Sequence, residues 1–304
     1  MNIITETADS AEYRKGTTGM AKRLITAAVG IPIGIFILVL NNPHVLAIVT
    51  AVLSAVAVFE VLSAAKYTKF KSLTVLSLLF SVVVPISFCY EIIRPYLVVI
   101  CFAFLILLFS FTITRHKEVR FEQLGFAALV TICIPLAIST IAFFAFRFPE
   151  HGIFFVVYTL VVTWVADGGA YFAGTFFGKH KLCPSISPKK TWEGFVGGLV
   201  TSVIFAVLLG YGYPLWDKIF TGEEHFTVNI LIVALCAAAC AFLGLLGDLI
   251  ASLLKRQCGV KDFGNLLPGH GGVMDRFDSV LFTAPFIYLV FQYFNPITTL
   301  AQLA

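Results

Sequence analysis

Nine apolar runs separated by short polar loops leave this chain almost no way to fold in water. They cover residues 24–41, 45–65, 73–90, 95–114, 124–146, 153–178, 195–213, 229–254 and 279–295. Each has about the length of a bilayer-crossing helix, roughly 20 residues. Backbone in lipid must satisfy its own hydrogen bonds, and strict apolar/polar alternation is absent, so helices are expected and a barrel is not. Charged residues make up only 12% of the chain, against about 25% in a soluble domain. The expected fold is therefore an all-α integral membrane protein of about nine transmembrane helices. No internal repeat or low-complexity tract stands out.

The basic residues orient those helices. All but three of the 21 Lys and Arg fall in loops on one side, the exceptions being Arg94, Arg147 and Lys218. The positive-inside rule puts the rich side in the cytoplasm. The N-terminus is then cytoplasmic and the C-terminus is not. The organisation expected is a polar tail over 1–20, N-terminal transmembrane helices over 21–150 and a C-terminal catalytic transmembrane region over 151–304. Lys22-Arg23 precede an apolar run that resembles a signal sequence. It contains Pro32 and no small-residue cleavage site follows, so it reads as a retained span. Seven scattered cysteines form no CxxC pair and are assigned neither disulfide nor metal.

Three acids, Glu60, Asp167 and Asp248, sit well inside apolar runs. A carboxylate at membrane depth is costly and normally faces protein or water. Glu60 is expected to pair with a lysine near its own helix end, Lys66. Asp248 precedes Lys255 by seven residues, which places it ~10 Å below the cytoplasmic surface. Ser252, Lys255 and Arg256 share its helix face. Gly244 and Gly247 permit close approach of another helix or a ligand.

Beyond that helix runs QCGVKDFGNLLPGHGG, too long for a simple connection. Its Gly269-His270-Gly271-Gly272 end suits backbone N–H groups turned towards an anion. Asp275 and Asp278 then open the last helix with Arg276 between them, and a helix N-terminus is itself an anion site. Asp248 and Asp275, at the ends of neighbouring helices, form a carboxylate pair suited to Mg²⁺, which takes one or two carboxylates plus waters and phosphates.

A second polar patch begins at Asp167-Gly168-Gly169, where the glycines are expected to break the sixth span. Ser187-Pro188 reads as N-cap and first residue of the next helix. Lys189 and Lys190 would then oppose the helix dipole unless an anion is bound. The bland alternative is that both lysines serve the positive-inside bias.

The run Ser252-Leu253-Leu254-Lys255-Arg256, then Lys261-Asp262, then Leu267-Pro268-Gly269-His270-Gly271-Gly272-Val273-Met274-Asp275-Arg276-Phe277-Asp278 resembles the signature of the phosphatidate cytidylyltransferase (CDP-diacylglycerol synthase) family. The segments around Asp167 and from Ser187 to Phe195 are similar to it as well. Resemblance covers roughly residues 160–290; one departure is Ala251, where many members carry glutamate. The resemblance implies the reaction of CTP with phosphatidate to give CDP-diacylglycerol and pyrophosphate. It also implies Mg²⁺ dependence at a two-metal centre that admits K⁺, Asp248 and Asp275 as the metal-linked acids, a homodimer, and no nucleic-acid partner. The location expected is a bacterial cytoplasmic membrane, with the site facing the cytoplasm.

For that chemistry the expected catalytic set is Asp248, Asp275, Lys255, Arg256 and His270. The expected substrate-binding set is Asp167, Ser187, Lys189, Lys190, Thr191, Glu193, Ser252, Lys261, Arg276 and Asp278. His270 reads equally as an orienting donor and as a structural loop residue. Two rivals stand beside this reading, a CTP-dependent lipid kinase and a polytopic transporter. Against the transporter, no inverted repeat is evident and the polar residues cluster on one side.

Overall fold

The computed structural model describes residue 26 and residues 28–300. It is built from apolar helices. In chain order these are α1 (Ala28–Val39), α2 (Pro43–Ala64), α3 (Lys71–Cys89), α4 (Leu97–Thr114), α5 (Phe121–Arg147) and α6 (Gly152–Phe177). Two strands, β1 (Lys181–Cys183) and β2 (Ser187–Thr191), precede α7 (Trp192–Thr221). Then come β3 (Phe226–Val228), α8 (Ile230–Gln257), the single turn α9 (Met274–Phe277), α10 (Val280–Tyr293) and β4 (Ile297–Thr299).

Seven helices among the described residues are long and apolar enough to cross a membrane. The sequence expectation was nine spans. The last apolar run falls short, while the first begins among residues outside those described, so that only Ala28–Val39 of it is given as a helix. α1 ends ahead of Asn41, whose φ of 44° is left-handed, and of the Asn42 cap of α2, whose side chain accepts from His44 N. The last run gives a helix only from Val280 to Tyr293, bounded by the Asp278–Ser279 turn ahead of it and by Phe294-Asn295-Pro296 behind it. The 14 residues of α10 span only ~21 Å at 1.5 Å each. The polar tail 1–20 lies outside the described residues.

Two further expectations are corrected. α6 is not broken at Gly168-Gly169 but runs unbroken to Phe177. The glycines serve packing instead, since a Cβ at Gly169 would strike Thr201 of α7, and one at Gly198 would lie 2.6 Å from the Ala166 carbonyl. α6 and α7 consequently form the most extensive helix pair described. Ser187 and Pro188 do not start a helix either. They belong to β2, which pairs antiparallel with β1 through Lys181–Thr191 and Cys183–Ser187. Proline is tolerated there because a two-stranded ribbon leaves edge positions that need no N–H. α7 begins at Trp192, and Thr191 caps it by accepting Gly194 N at 3.1 Å. With Lys189 and Lys190 in a strand, the dipole argument for an anion at that helix start no longer applies.

The interior has two main apolar clusters. One joins α2, α3, α4 and α5 through Val58, Leu62, Leu73, Phe80, Leu108 and Ile134, and it also takes in Phe263, Val273 and Met274 from the connection after α8. The other joins α5, α6, α8 and α10 around Phe144, Phe155, Tyr158, Ile287 and Phe291. The long α8–α10 connection is thus anchored in the N-terminal half as well as on α8, which adds Ala251 to the same cluster. All seven cysteines are free thiols.

Candidate active site

A cavity of about 500 Å³ lies between α6, the β1–β2 ribbon, α7 and α8. Its walls include Asp167, Ser187, Lys189, Lys190, Thr191 and Asp248. All six were singled out in the sequence, and the fold brings them together from three separate elements, α6, β2 and α8. The ribbon carries the lysines over the mouth. α6 and α8 supply the acids, and small residues at Gly174, Gly194 and Gly198 let the helices close behind them.

At the heart of the cavity Lys190 Nζ lies 2.6 Å from Asp248 Oδ2, with side chains 18% and 32% exposed. Lys190 also donates to the Leu245 carbonyl at 3.4 Å. The other oxygen of Asp248 accepts the Ser252 hydroxyl at 3.3 Å, so the shared helix face of Asp248 and Ser252 is as expected. Asp167 accepts Ser279 Oγ at 3.1 Å through Oδ2. Asp248 lies within electrostatic reach of both Asp167 and Asp278. That closeness has a backbone cause. Gly244 and Gly247 of α8 leave room for the Asp278–Thr283 segment, and a Cβ at Gly247 would lie 2.6 Å from the Asp278 carbonyl.

A second charged group adjoins the first. Lys255 Nζ is 2.9 Å from Asp275 Oδ1 and 3.9 Å from Asp278 Oδ2, and the three side chains are 13%, 4% and 10% exposed. Asp275 Oδ2 accepts two backbone N–H groups, from Phe263 and Gly272, both at 2.9 Å. Asp275 is therefore tied to the loop on one side and to Lys255 on the other. Gly271 holds a φ of 87°, a left-handed conformation that favours glycine, with Asp275 packed directly beneath it. Arg276 turns back to donate to the His270 carbonyl, and His270 Nδ1 is buried with no hydrogen-bond partner among the described residues.

Glu193 stands at the ribbon's edge, where it accepts Lys179 N at 3.1 Å and His180 Nδ1 at 2.6 Å. Arg256 and Lys261 are solvent-exposed. Glu193, Ser252, Lys255, Arg256, Lys261, His270, Arg276, Asp275 and Asp278 lie outside the walls of the cavity itself.

Glu60 is the residue whose role the sequence did not reveal. It does not rely on Lys66. Its two oxygens accept Val273 N at 3.1 Å and Met274 N at 2.9 Å, and a Cβ at Gly264 or Gly272 would strike its carboxylate. An acid deep in an apolar run was the available signal. Its partners, backbone groups more than 200 positions away, carry no mark in sequence. Ser279, which holds Asp167, was likewise missed.

As a donor set for a divalent ion, Asp167, Asp248 and Asp278 offer hard carboxylate oxygens of the kind Mg²⁺ takes. The Lys190 ammonium already sits against Asp248 Oδ2, so the spot is one where positive charge is stabilised. Among the described residues no three His, Cys, Asp or Glu side chains are arranged as ready metal ligands. The fit is one of chemistry and charge.

Long apolar helices enclosing a cavity of lysines and carboxylates define the class, a polytopic membrane protein with a charged site built between helices. The chain belongs to the cytidylyltransferase family, whose model matches residues 21–294. It is similar to the phosphatidate cytidylyltransferase of Bacillus subtilis, 38% identical over 191 residues that cover 62% of this chain and 66% of that one. It is similar also to that of Haemophilus influenzae, 42% identical over 146 residues, or 48% and 47% of the two chains. For Staphylococcus haemolyticus the values are 36% over 184 residues, 60% and 65%. These matches span about half to two thirds of the relatives' length.

Proposed function

We propose that this protein transfers the cytidylyl group of CTP to phosphatidate, giving CDP-diacylglycerol and pyrophosphate. One observation carries the reading beyond family membership: Lys190 and Asp248 meet at 2.6 Å in a cavity whose mouth is lined by further lysines. Such a site presents cations to phosphate oxygens and carboxylates to a metal ion.

The reaction needs little covalent help. A phosphate monoester is largely ionised near neutral pH, its second pKa being about 6, so the phosphatidate oxygen is already nucleophilic. It forms a bond to the α-phosphorus of CTP as the bond from that phosphorus to the pyrophosphate oxygen breaks. Positioning and charge neutralisation supply most of the rate. Lys189 and Lys190 hold nucleotide phosphate oxygens, Ser187 and Thr191 border the same space, and Lys255, Arg256, Lys261 and Arg276 supply cationic charge around the adjoining acids. Mg²⁺, when bound, neutralises charge on the reacting phosphates.

Asp248 is the residue to which we assign that ion, with Asp167 and Asp278 beside it. Asp275 was paired with Asp248 on the sequence. Its Oδ2 is engaged by two N–H groups and its Oδ1 by Lys255, so its share in the metal would run through Oδ1 alone while it also fixes Lys255. K⁺ remains the second ion that the family resemblance suggests.

The 18-to-3 division of basic residues supports a cytoplasmic site, a cytoplasmic N-terminus and the nine membrane-crossing segments over which it was counted, and the bacterial relatives support a bacterial membrane. A homodimer completes the reading.

The test is incubation of the purified protein with α-labelled CTP, Mg²⁺ and phosphatidate, followed by lipid chromatography and assay of the released nucleotide fragment. Label in lipid together with pyrophosphate is the expected result. CDP and a phosphorylated lipid without label would make the protein a lipid kinase, and no turnover of CTP would remove the enzyme reading.

A further inference from the structure

Away from the charged site, a second cleft opens between the start of α3 and the end of α4. It encloses about 550 Å³ and is walled by Lys69, Phe70, Lys71, Ser72, Phe111, Arg115 and Glu118. Three cations meet there with one carboxylate, and that carboxylate is engaged by Arg115 at 3.1 Å. Two positive charges are left over. Lys69, Lys71 and Ser72 are exposed, while the Phe70 and Phe111 rings close the back of the cleft edge to face at 6.3 Å. The local helix chemistry adds to the imbalance. α3 starts at Lys71 with no side-chain cap from Phe70 and no acid in its first turn, so a cation stands where the helix dipole favours an anion.

The cleft does not end at the polar level. A second cavity of about 480 Å³ shares Lys71 and Ser72 with it and continues along α3 past Val75, Leu76 and Leu79. Val75 and Leu79 are 56% and 61% exposed. A basic recess that passes directly into an apolar groove on a membrane-crossing helix matches the two halves of a phospholipid.

We propose that this recess is a binding site for an anionic phospholipid of the surrounding bilayer, separate from the site of the reaction. Its phosphate sits among Lys69, Lys71 and Arg115, and one acyl chain lies in the groove beside Val75, Leu76 and Leu79. Charge selects the headgroup: a zwitterionic lipid brings its own cation and gains little from the surplus positive charge. The groove selects lipid over soluble phosphate, since a free anion leaves the apolar half of the recess unfilled. Basic pockets between helices on the cytoplasmic side are general sites for anionic headgroups.

The experiment uses the full-length protein in detergent, titrated with phosphatidylglycerol or phosphatidylcholine and read by native mass spectrometry. One tightly held phosphatidylglycerol per chain is expected, with phosphatidylcholine held far more weakly. The double variant Lys71→Ala/Arg115→Ala should bind about twenty-fivefold more weakly, each basic residue near the surface being worth roughly fivefold. Lys117→Ala, exposed on the same loop but outside the recess, should bind as the unaltered protein does. Leu79→Glu puts an acid in the groove and should also weaken binding, while melting curves of all variants confirm that they fold. Equal binding of the two lipids, or unchanged binding by the double variant, would overturn the proposal. Full displacement by inorganic phosphate would do so too, because it would reduce the site to one for free anions.

Discussion

Glu60 accepts the backbone N–H of Met274 at 2.9 Å although 214 positions of sequence separate the two. This bond, with its companion to Val273, fastens the segment carrying Asp275 and Asp278 to α2. The N-terminal half of the chain is therefore part of the site's support. Replacing Glu60 by Ala strips the acceptor from two buried N–H groups, each worth about 1–3 kcal/mol when left unpaired. Glu60→Ala is expected to melt well below the unaltered protein and to lose most of its turnover even where folded. Thermal melting in detergent, paired with activity at a temperature below both transitions, checks it; unaltered melting would show that the loop holds itself in place.

The two acids paired on the sequence should behave differently when neutralised. Asp248 faces the cavity and is 32% exposed, with Lys190 beside it. Asp248→Asn is expected to fold and melt nearly normally while losing turnover by two or more orders of magnitude. Asp275 is 4% exposed and serves Lys255 and two backbone donors at once. Its amide can satisfy only part of that set and turns a donor towards donors. Breaking one partner of a buried pair is commonly worth about 3–5 kcal/mol, so Asp275→Asn should lose stability as well as activity. Comparison of melting curves with single-turnover rates separates the two cases, and equal stabilities would return Asp275 to the same standing as Asp248.

The apolar runs made the helices legible because period and length suffice to call for a helix in lipid, and the cavity's Asp167, Ser187, Lys189, Lys190, Thr191 and Asp248 were all readable as chemistry out of place. The ribbon of β1 and β2 was not. Ser187-Pro188 is as good a helix start as it is a strand, and only the pairing of Lys181 with Thr191 decides between them. Gly168-Gly169 misled for a related reason. Glycine raises the cost of a helix, by about 1 kcal/mol against Ala, but here it also removes the Cβ that would keep α7 away, and packing won. Long-range bonds to backbone, such as those of Glu60, leave no pattern because every residue has the same N–H to offer.

That packing gives a third prediction. A methyl group at Gly169 would lie 2.8 Å from Thr201 Cβ and 2.9 Å from Cγ2, closer than such atoms pack. Forcing an extra methyl into a filled contact typically destabilises by about 1–3 kcal/mol. Gly169→Ala should lower stability by that order and, being two residues from Asp167, raise the KM for nucleotide. Thr201→Ala in the same chain removes two of the opposing atoms and should restore part of both. Failure of the second substitution to help would mean that the α6–α7 contact is not what the glycine protects.

His151, just ahead of α6, sits with its Nδ1 at 3.0 Å from the Tyr213 hydroxyl and its ring edge to face with Phe226. Its Nε2 is buried and has no hydrogen-bond partner among the described residues. Burial lowers its pKa below the usual 6.5, while the charges of Glu150 and Asp217 pull the other way without overcoming it. In the unfolded chain the ring takes up a proton as pH drops through about 6.5, whereas the folded ring resists until lower pH. The folded state thus binds fewer protons in that window. Its full stability is present above pH 6.5 and is lost as pH falls towards the depressed folded value. Melting temperature in detergent should fall between pH 7.5 and pH 5.5, and His151→Phe, which cannot protonate, should flatten that part of the profile. A variant with the same slope as the unaltered protein would place the acid sensitivity elsewhere.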